Sequence, residues 1–241
     1  MIGLMRIAGV LAALVVAAAT LISAAYAAPA VFFPYAVAKD GLVLRSDRPL
    51  DGPAARARLA EVADRLAQSE LGAPTRELRF YAAHADWRQR LFFFTVPGAG
   101  GVTYAPLSHT NAFLVGIDEG ADRIIKGGAG IAARRTLGYY MVHEAVHLMM
   151  AAELGTLRYH RLPHWVREGV ADYVALGPMA AEARAAVRSG AAGGQATLAQ
   201  MAAFGSYPLA RAQVSDALER SGCTLAALME MPTQGWGCQW H

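Results

Sequence analysis

The sequence predicts an α+β domain, in which a small mixed or antiparallel sheet packs on helices. Short apolar segments typical of strands are confined to the first half of the chain, and longer segments with helical periodicity follow them. This order of strands and then helices is typical of the α+β class. Residues 28–241 contain no internal repeat or long linker. They are numerous enough to form one domain with a sizeable core.

The chain begins with an apolar run that is typical of an export signal. Arg6 is the only charged residue in the run up to Ile22, and Ala25-Tyr26-Ala27 fits a small-x-small cleavage site. We therefore expect residues 1–27 to be a secretory signal peptide and residues 28–241 to be a periplasmic or extracellular domain. The apolar run is slightly longer than usual, so an uncleaved membrane anchor is the alternative.

The first half of the domain is predicted to alternate between short strands and helices. Residues 41–47 and 76–83 predict strands, and a helix over 51–71 begins between them at Asp51-Gly52-Pro53. A short helix over 85–94 precedes a glycine-bearing turn with a strand over 98–106 and a further strand over 110–117. Residues 127–135 are expected to form a loop. Residues 179–221 predict small Ala-rich helices broken by Gly190–Gly194 and Pro208.

After that loop comes an apolar helix containing "MVHEAVHLMM", residues 141–150. His143 and His147 are four residues apart and share one helix face, so their imidazoles can bind one Zn²⁺ at roughly 2.0–2.1 Å. Glu144 lies beside this position and is poorly placed to be a ligand. It can instead accept a proton from a zinc-bound water, whose pKa falls to about 7. Such a site needs a third protein ligand and an open fourth position.

A second helix, "LPHWVREGVADYVALGP" over residues 162–178, can supply the third ligand. Pro163 suits its first turn, and Gly177-Pro178 ends it. Glu168 and Asp172 are four residues apart and lie opposite an apolar stripe. A solvated acidic edge is the alternative interpretation. The chain between His147 and Glu168 is long enough for this helix to fold back against the first.

The two motifs, within residues 137–176, resemble those of the gluzincin metallopeptidases, which combine His-Glu-x-x-His with a downstream glutamate ligand. The aminopeptidase branch has a similar second motif, carried here by Trp165, Glu168, Gly169, Ala171 and Tyr173. The Glu168–Asp172 pair is similar to the thermolysin-like branch, where the aspartate orients a ligating histidine. The resemblance implies zinc held by His143, His147 and Glu168, with Glu144 as general base and Asp172 behind a histidine.

Two weaker matches to the thermolysin-like branch concern substrate and transition state. Asn111, Ala112 and Phe113 match an edge strand whose backbone pairs with extended substrate, and an ordinary half-buried strand is the alternative. Tyr159 lies nine residues before Glu168, where that branch has a tyrosine that stabilises the oxyanion. The nearby alternatives are His160 and His164, whereas His84, His109 and His241 are predicted to be ordinary loop or terminal residues.

The chain is too short for the additional domains of these enzymes. It also lacks the Gly-x-Met-Glu-Asn run with which the aminopeptidase branch binds a substrate amino terminus. We therefore expect a compact minimal form without aminopeptidase specificity. It would be a monomer that acts on peptide or protein substrates and meets a membrane only if the N-terminal segment is retained.

The two cysteines and the net charge limit the compartment and the function that the chain can have. Cys223 and Cys238 lie fifteen residues apart and are expected to form a disulfide in an oxidising compartment, contributing about 3 kcal/mol. The net charge is only +3, without the clustered basic face that nucleic-acid binding requires.

Two hypotheses remain: an exported zinc peptidase, and a non-catalytic gluzincin-like module that binds envelope proteins or peptides. Glu144 favours the enzyme, because a binding module needs no base beside the metal.

Overall fold

The computed structural model describes residues 2–125, 135–189, 207–220 and 222–230. The predicted α+β class is confirmed: a small mixed sheet packs against helices. The described helices are α1 (Ile2–Ala27), α2 (Gly52–Ala67), α3 (Asp86–Phe92), α4 (Leu137–Leu154), α5 (Thr156–Arg161), α6 (His164–Leu176), α7 (Ala181–Ser189), α8 (Tyr207–Arg220) and α9 (Leu225–Met229). The described strands are β1 (Tyr35–Lys39), β2 (Leu42–Ser46), β3 (Leu78–Ala83), β4 (Gly101–Thr103), β5 (Asn111–Val115), β6 (Ile117–Asp118) and β7 (Arg123–Ile124).

The main sheet has five strands in the order β1-β2-β3-β5-β4. The outer pairs β1–β2 and β4–β5 are antiparallel, whereas β2–β3 and β3–β5 are parallel. Parallel neighbours need a crossover connection, and α2 provides it between β2 and β3. A separate antiparallel pair, β6–β7, follows β5. The main sheet therefore ends at β1 on one side and at β4 on the other, and β5 lies inside it.

Helix α4 crosses the core and is buried along most of its length. Thr136 caps its start, since the Thr136 hydroxyl accepts a hydrogen bond from the backbone N–H of Tyr139 at 3.0 Å. Its end is set by Gly155, whose φ of 74° a residue with a side chain would adopt only at a cost. The buried apolar face of α4 includes Met141, Val146 and Leu148. The three polar residues of its motif are consequently held among well-packed neighbours.

Helix α1 differs from the others because its apolar side chains are exposed. Among the described residues it is the one helix long and apolar enough to cross a membrane, over Gly9–Ala27. Its last turn nevertheless enters the domain, where Tyr26 is only 1% exposed. Phe33, six residues after α1 ends, is completely buried. The start of the core thus lies within the segment that the sequence predicted to be removed.

Several elements differ from the sequence prediction. Strands β1, β6 and β7 were not predicted, and neither was the short helix α5 in the connection between α4 and α6. Pro208 does not break a helix; it lies in the first turn of α8, where a missing N–H costs nothing. The predicted Gly190–Gly194 interruption lies outside the described residues.

Candidate metal centre

Two packed helices bring the predicted metal ligands together. Helix α4 supplies His143 and His147, and α6 supplies Glu168. The reversal between the helices is made by Gly155 and the short α5. The histidines are buried, and the Glu168 side chain is 15% exposed. The second helix therefore folds back as the spacing predicted, with Glu168 facing the histidines instead of forming a solvated acidic edge.

Three donor atoms form a nearly equilateral triangle. The His143 and His147 Nε2 atoms are 3.1 Å apart, and Glu168 Oε2 lies 3.4 Å from the former and 3.3 Å from the latter. A tetrahedral ion with bonds of roughly 2.0–2.1 Å requires ligand atoms about 3.3–3.4 Å apart. Among the described residues, these three form a cluster of potential ligands whose donor atoms are close enough together to hold one metal ion. The three edge lengths are therefore close to those of a tetrahedral metal site.

The back of the His143 ring is held by a charged network. Its Nδ1 lies 3.1 Å from Asp172 Oδ1 and 3.1 Å from the Tyr139 hydroxyl. Arg135 reaches both oxygens of Asp172, at 3.4 and 3.3 Å, and also contacts Tyr139. Because an ionised carboxylate only accepts hydrogen bonds, His143 Nδ1 must be the donor. This arrangement turns Nε2 of His143 toward the triangle.

The back of the His147 ring is held by Tyr159, whose hydroxyl lies 3.0 Å from Nδ1. Tyr159, which was predicted to stabilise the oxyanion, therefore lies behind His147, on the side of the ring that faces away from the triangle. Its alternatives are no better placed. His160 contacts the Tyr159 ring, with 5.2 Å between ring centroids, and His164 is exposed at the start of α6.

Glu144 lies between the histidines and the edge strand β4. A Cβ atom on Gly101 would come within 2.7 Å of Glu144 Oε1, so any other residue at this position would force the Glu144 side chain to shift. The other oxygen, Oε2, is buried and has no hydrogen-bond partner among the described residues. A buried acceptor without a partner is costly, and this oxygen can accept a hydrogen bond from a molecule bound at the site.

Burial and neighbouring charges shift the pKa values of these groups in opposite directions. Burial would lower the pKa of His143, but hydrogen bonds to Asp172 and Glu168 outweigh it and raise the pKa to about 10. For Glu168, burial is outweighed by His147 and His143, which hold its pKa well below the ordinary value. Burial raises the pKa of Glu144, although both imidazoles oppose the shift. Glu144 is therefore the better proton acceptor of the two carboxylates.

The predicted substrate strand is wrong. Asn111, Ala112 and Phe113 lie in β5, whose two edges are already paired with β3 and β4. All three side chains are buried. An extended peptide cannot hydrogen-bond to a strand with both edges occupied. The edge strand beside the site is β4, which was predicted only as a strand after a glycine-bearing turn.

Tyr207, at the start of α8, was missed by the sequence analysis. Its ring centroid is 5.6 Å from that of His143. Burial, together with nearby Glu168 and Glu144, raises its pKa, so its hydroxyl remains protonated and can donate a hydrogen bond. Arg135 was missed as well. Tyr207 is far from both motifs in sequence and has no local pattern that would indicate its position.

The remaining predicted residues lie away from the triangle. His84 is in a loop, as predicted, but its side chain is mostly buried and its Nδ1 lies 2.9 Å from Asp47 Oδ1. Burial would raise the pKa of Asp47, but the backbone N–H groups of Ala85 and His84 outweigh it and lower the pKa. The His109 Nε2 lies 2.8 Å from the Thr156 hydroxyl.

The predicted disulfide stays a prediction. Cys223 is half-buried and packs against the core at the end of α8. Cys238 and His241 lie outside the described residues.

Comparison with known proteins does not identify this chain: no protein family, curated protein or solved structure matches it. Functional inference therefore rests on the geometry of the site.

Proposed function

We propose that this chain is an exported zinc-dependent peptidase that hydrolyses peptide bonds with Glu144 as general base. One observation carries the proposal. Three ligand atoms, from His143, His147 and Glu168, have the spacing of a tetrahedral zinc site, and an unpaired buried carboxylate lies beside them. A structural zinc site would have four protein ligands, whereas three ligands and one open position are typical of a catalytic site.

The donor set supports zinc as the cofactor. Two imidazoles and one carboxylate are the ligands of several catalytic zinc sites. Bound zinc would supply a polarised carbonyl and an activated water. Asp172 and Tyr159 fix the two imidazoles from behind, and Arg135 contacts both oxygens of Asp172. Each of these contacts reduces the freedom of a ligand and so favours metal binding.

Glu144 is suited to move a proton during hydrolysis. Its Oε2 would accept a proton from the attacking water and then deliver it to the leaving amine. Burial raises its pKa, which makes the carboxylate more basic and lets it hold the proton between these two steps. We assign the hydrogen bond to the developing oxyanion to Tyr207, whose ring lies beside that of His143.

The peptide would bind to β4. This strand is at the end of the sheet, and its outer edge has no partner among the described strands. An extended segment can add to such an edge through backbone hydrogen bonds. Gly101 lies against Glu144, so a peptide paired with β4 would run past the general base.

The deciding experiment is a Glu144→Gln variant with metal analysis. Glu144 is not a ligand, so the variant should keep about one zinc per chain. It should lose hydrolysis of an unfolded protein substrate by ~10²–10⁴-fold, the usual contribution of a general base. Glu153→Gln is the matched control, because Glu153 is exposed near the end of the same helix. This control should retain both zinc and activity.

Two results would contradict the proposal. If wild-type and Glu144→Gln proteins bind the same peptide equally and neither cleaves it with zinc present, the chain is a binding module. If the purified protein holds iron, the three residues instead form the two-histidine, one-carboxylate site of non-haem iron enzymes.

A further inference from the structure

The last turn of α1 is built into the core of the domain. The Tyr26 hydroxyl donates a hydrogen bond to the Leu91 carbonyl. Its ring meets three others edge-on: Tyr104 at 4.7 Å between centroids, Phe92 at 5.3 Å and Phe113 at 5.5 Å. Tyr26 thus occupies the place of an ordinary core aromatic residue, although it precedes the predicted cleavage site.

The backbone at this point is fixed as well. The buried Asn111 amide donates to the carbonyls of Tyr26 at 3.3 Å and Ala27 at 3.2 Å. Cleavage after Ala27 would remove the Tyr26 ring and carbonyl from the domain. It would leave a cavity among three aromatic rings and a buried amide without its acceptors, and both changes are strongly destabilising. The domain therefore needs the segment that a signal peptidase would discard.

The rest of α1 leaves the domain. Every described side chain between Gly9 and Ala24 is exposed, including Val10, Leu14, Val15 and Leu21. A helix that is apolar all round requires an apolar medium on every side, which a one-sided protein contact does not provide. Gly9–Ala27 contains 19 residues, or about 28 Å of helix, close to the roughly 30 Å hydrocarbon core of a bilayer.

The domain surface around the base of α1 is also suited to a membrane. Phe94, exposed by 60%, lies 6.3 Å from Tyr26 between ring centroids. Trp87 is half exposed, packs against Phe32 and carries the Arg88 guanidinium over its ring. Aromatic and basic side chains are typical of the headgroup region. Arg6, near the other end of α1, favours a cytoplasmic N-terminus and places the domain on the opposite side of the membrane.

We infer that residues 1–27 are retained as a transmembrane anchor whose last turn, through Tyr26, is an integral part of the folded domain. The occupant of the exposed face of α1 is the lipid bilayer. This inference does not depend on the proposed peptidase reaction, because it is argued from Tyr26, Asn111 and the exposed face of α1 and uses no residue of the triangle.

The test uses the full chain, carrying a C-terminal affinity tag, expressed in a Gram-negative host. The protein should remain in alkali-washed membranes, and its intact mass after detergent extraction should include Tyr26. A mass that begins at Ala28, or an intact chain in the soluble fraction, would overturn the inference. Zinc content and hydrolysis can be measured in either outcome, so failure of the anchor is distinguishable from failure of the proposed function.

A matched pair of variants tests the structural role of Tyr26 in the same full chain. Tyr26→Ala should lower the thermal midpoint by roughly 10 °C, as expected for removing a buried aromatic ring from a domain of this size. Tyr35→Ala, on the edge strand β1 where the ring is 44% exposed, should change it by no more than about 2 °C. Equal midpoints for Tyr26→Ala and wild type would show that Tyr26 is not part of the core.

Discussion

A single methyl group at Gly169 should disturb both the fold and the metal site. Gly169 follows Glu168 on α6 and faces α8. A Cβ atom there would lie 2.4 Å from the Ala210 carbonyl oxygen and 2.7 Å from Val214 Cγ2. Close carbon–oxygen contacts are ordinarily about 3.3 Å or longer. Because the nearest atom belongs to the backbone, it cannot rotate away, and the helices must separate by about 1 Å.

The expected cost follows from this overlap. Overpacking a well-packed contact typically lowers the free energy of unfolding by 1–3 kcal/mol. Because the obstructing atom belongs to the backbone, we expect Gly169→Ala to lie at the upper end, at about 3 kcal/mol. For a domain of this size, that is a fall in thermal midpoint of roughly 6–12 °C. Displacing Glu168 by even half of the separation would spoil its distances to both imidazoles. Zinc affinity should therefore fall at least tenfold, about 1.4 kcal/mol.

The assay is thermal unfolding with and without zinc, together with a zinc titration. Gly52→Ala is the control, because the added Cβ would meet the Arg56 Nη1 at an ordinary 3.6 Å. Helix propensity alone predicts the opposite sign for Gly169→Ala, a stabilisation of about 1 kcal/mol. If Gly169→Ala raises the thermal midpoint and leaves zinc affinity unchanged, the close contact between α6 and α8 is refuted.

Three further outcomes test other parts of the molecule. Asp172→Asn should weaken zinc binding by about 10–100-fold, because the neutral amide no longer anchors His143, and an unchanged affinity would count against that role. Tyr159→Phe should mainly lower zinc affinity, whereas Tyr207→Phe should mainly lower kcat; the reverse result would exchange the two assignments. The folded-state pKa of Asp47 is lowered, so its stabilisation is present above pH ~4 and is lost as pH falls further. Asp47→Asn should consequently reduce the fall in thermal midpoint below pH 4, and an unaltered acid profile would argue against the predicted linkage.

The metal triangle could be predicted from sequence because its information is local. The spacing of His143 and His147 fixes a shared helix face, and Glu168 and Asp172 lie together on the next long helix. Gly169 belongs to the same motif, and the structure supplies a physical reason for it in the close crossing of α8. One turn signal was overlooked: Asp40-Gly41, with φ of 50° and 77°, is a strong hairpin signal that would have located β1.

The positions that could not be predicted from the sequence depend on contacts between residues far apart in the chain. Whether Asn111 lies on an edge or an interior strand depends on β4, which pairs with β5 from the opposite direction. Tyr26 resembles any residue of a cleavage site until Asn111 and the aromatic rings are brought around it. Tyr207 reaches His143 only because α8 packs on α6. None of these relations has a fixed sequence separation, so no periodicity or motif indicates them.

The proton arrangement explains why a buried cluster of this kind calls for a cation. His143 Nδ1 donates to Asp172, so in a neutral imidazole the Nε2 atom is only an acceptor. It then faces Glu168 Oε2, another acceptor, across 3.4 Å in a low-dielectric interior. Two lone pairs at that distance repel unless a positive charge lies between them. The raised pKa of His143 describes one solution, in which a proton occupies Nε2. In the absence of a metal, His147 Nε2, 3.3 Å from Glu168 Oε2, can also donate to that oxygen. A divalent ion is the alternative that the proposed function requires, in place of both protons. Under the proposed function, metal and proton therefore compete for the same position.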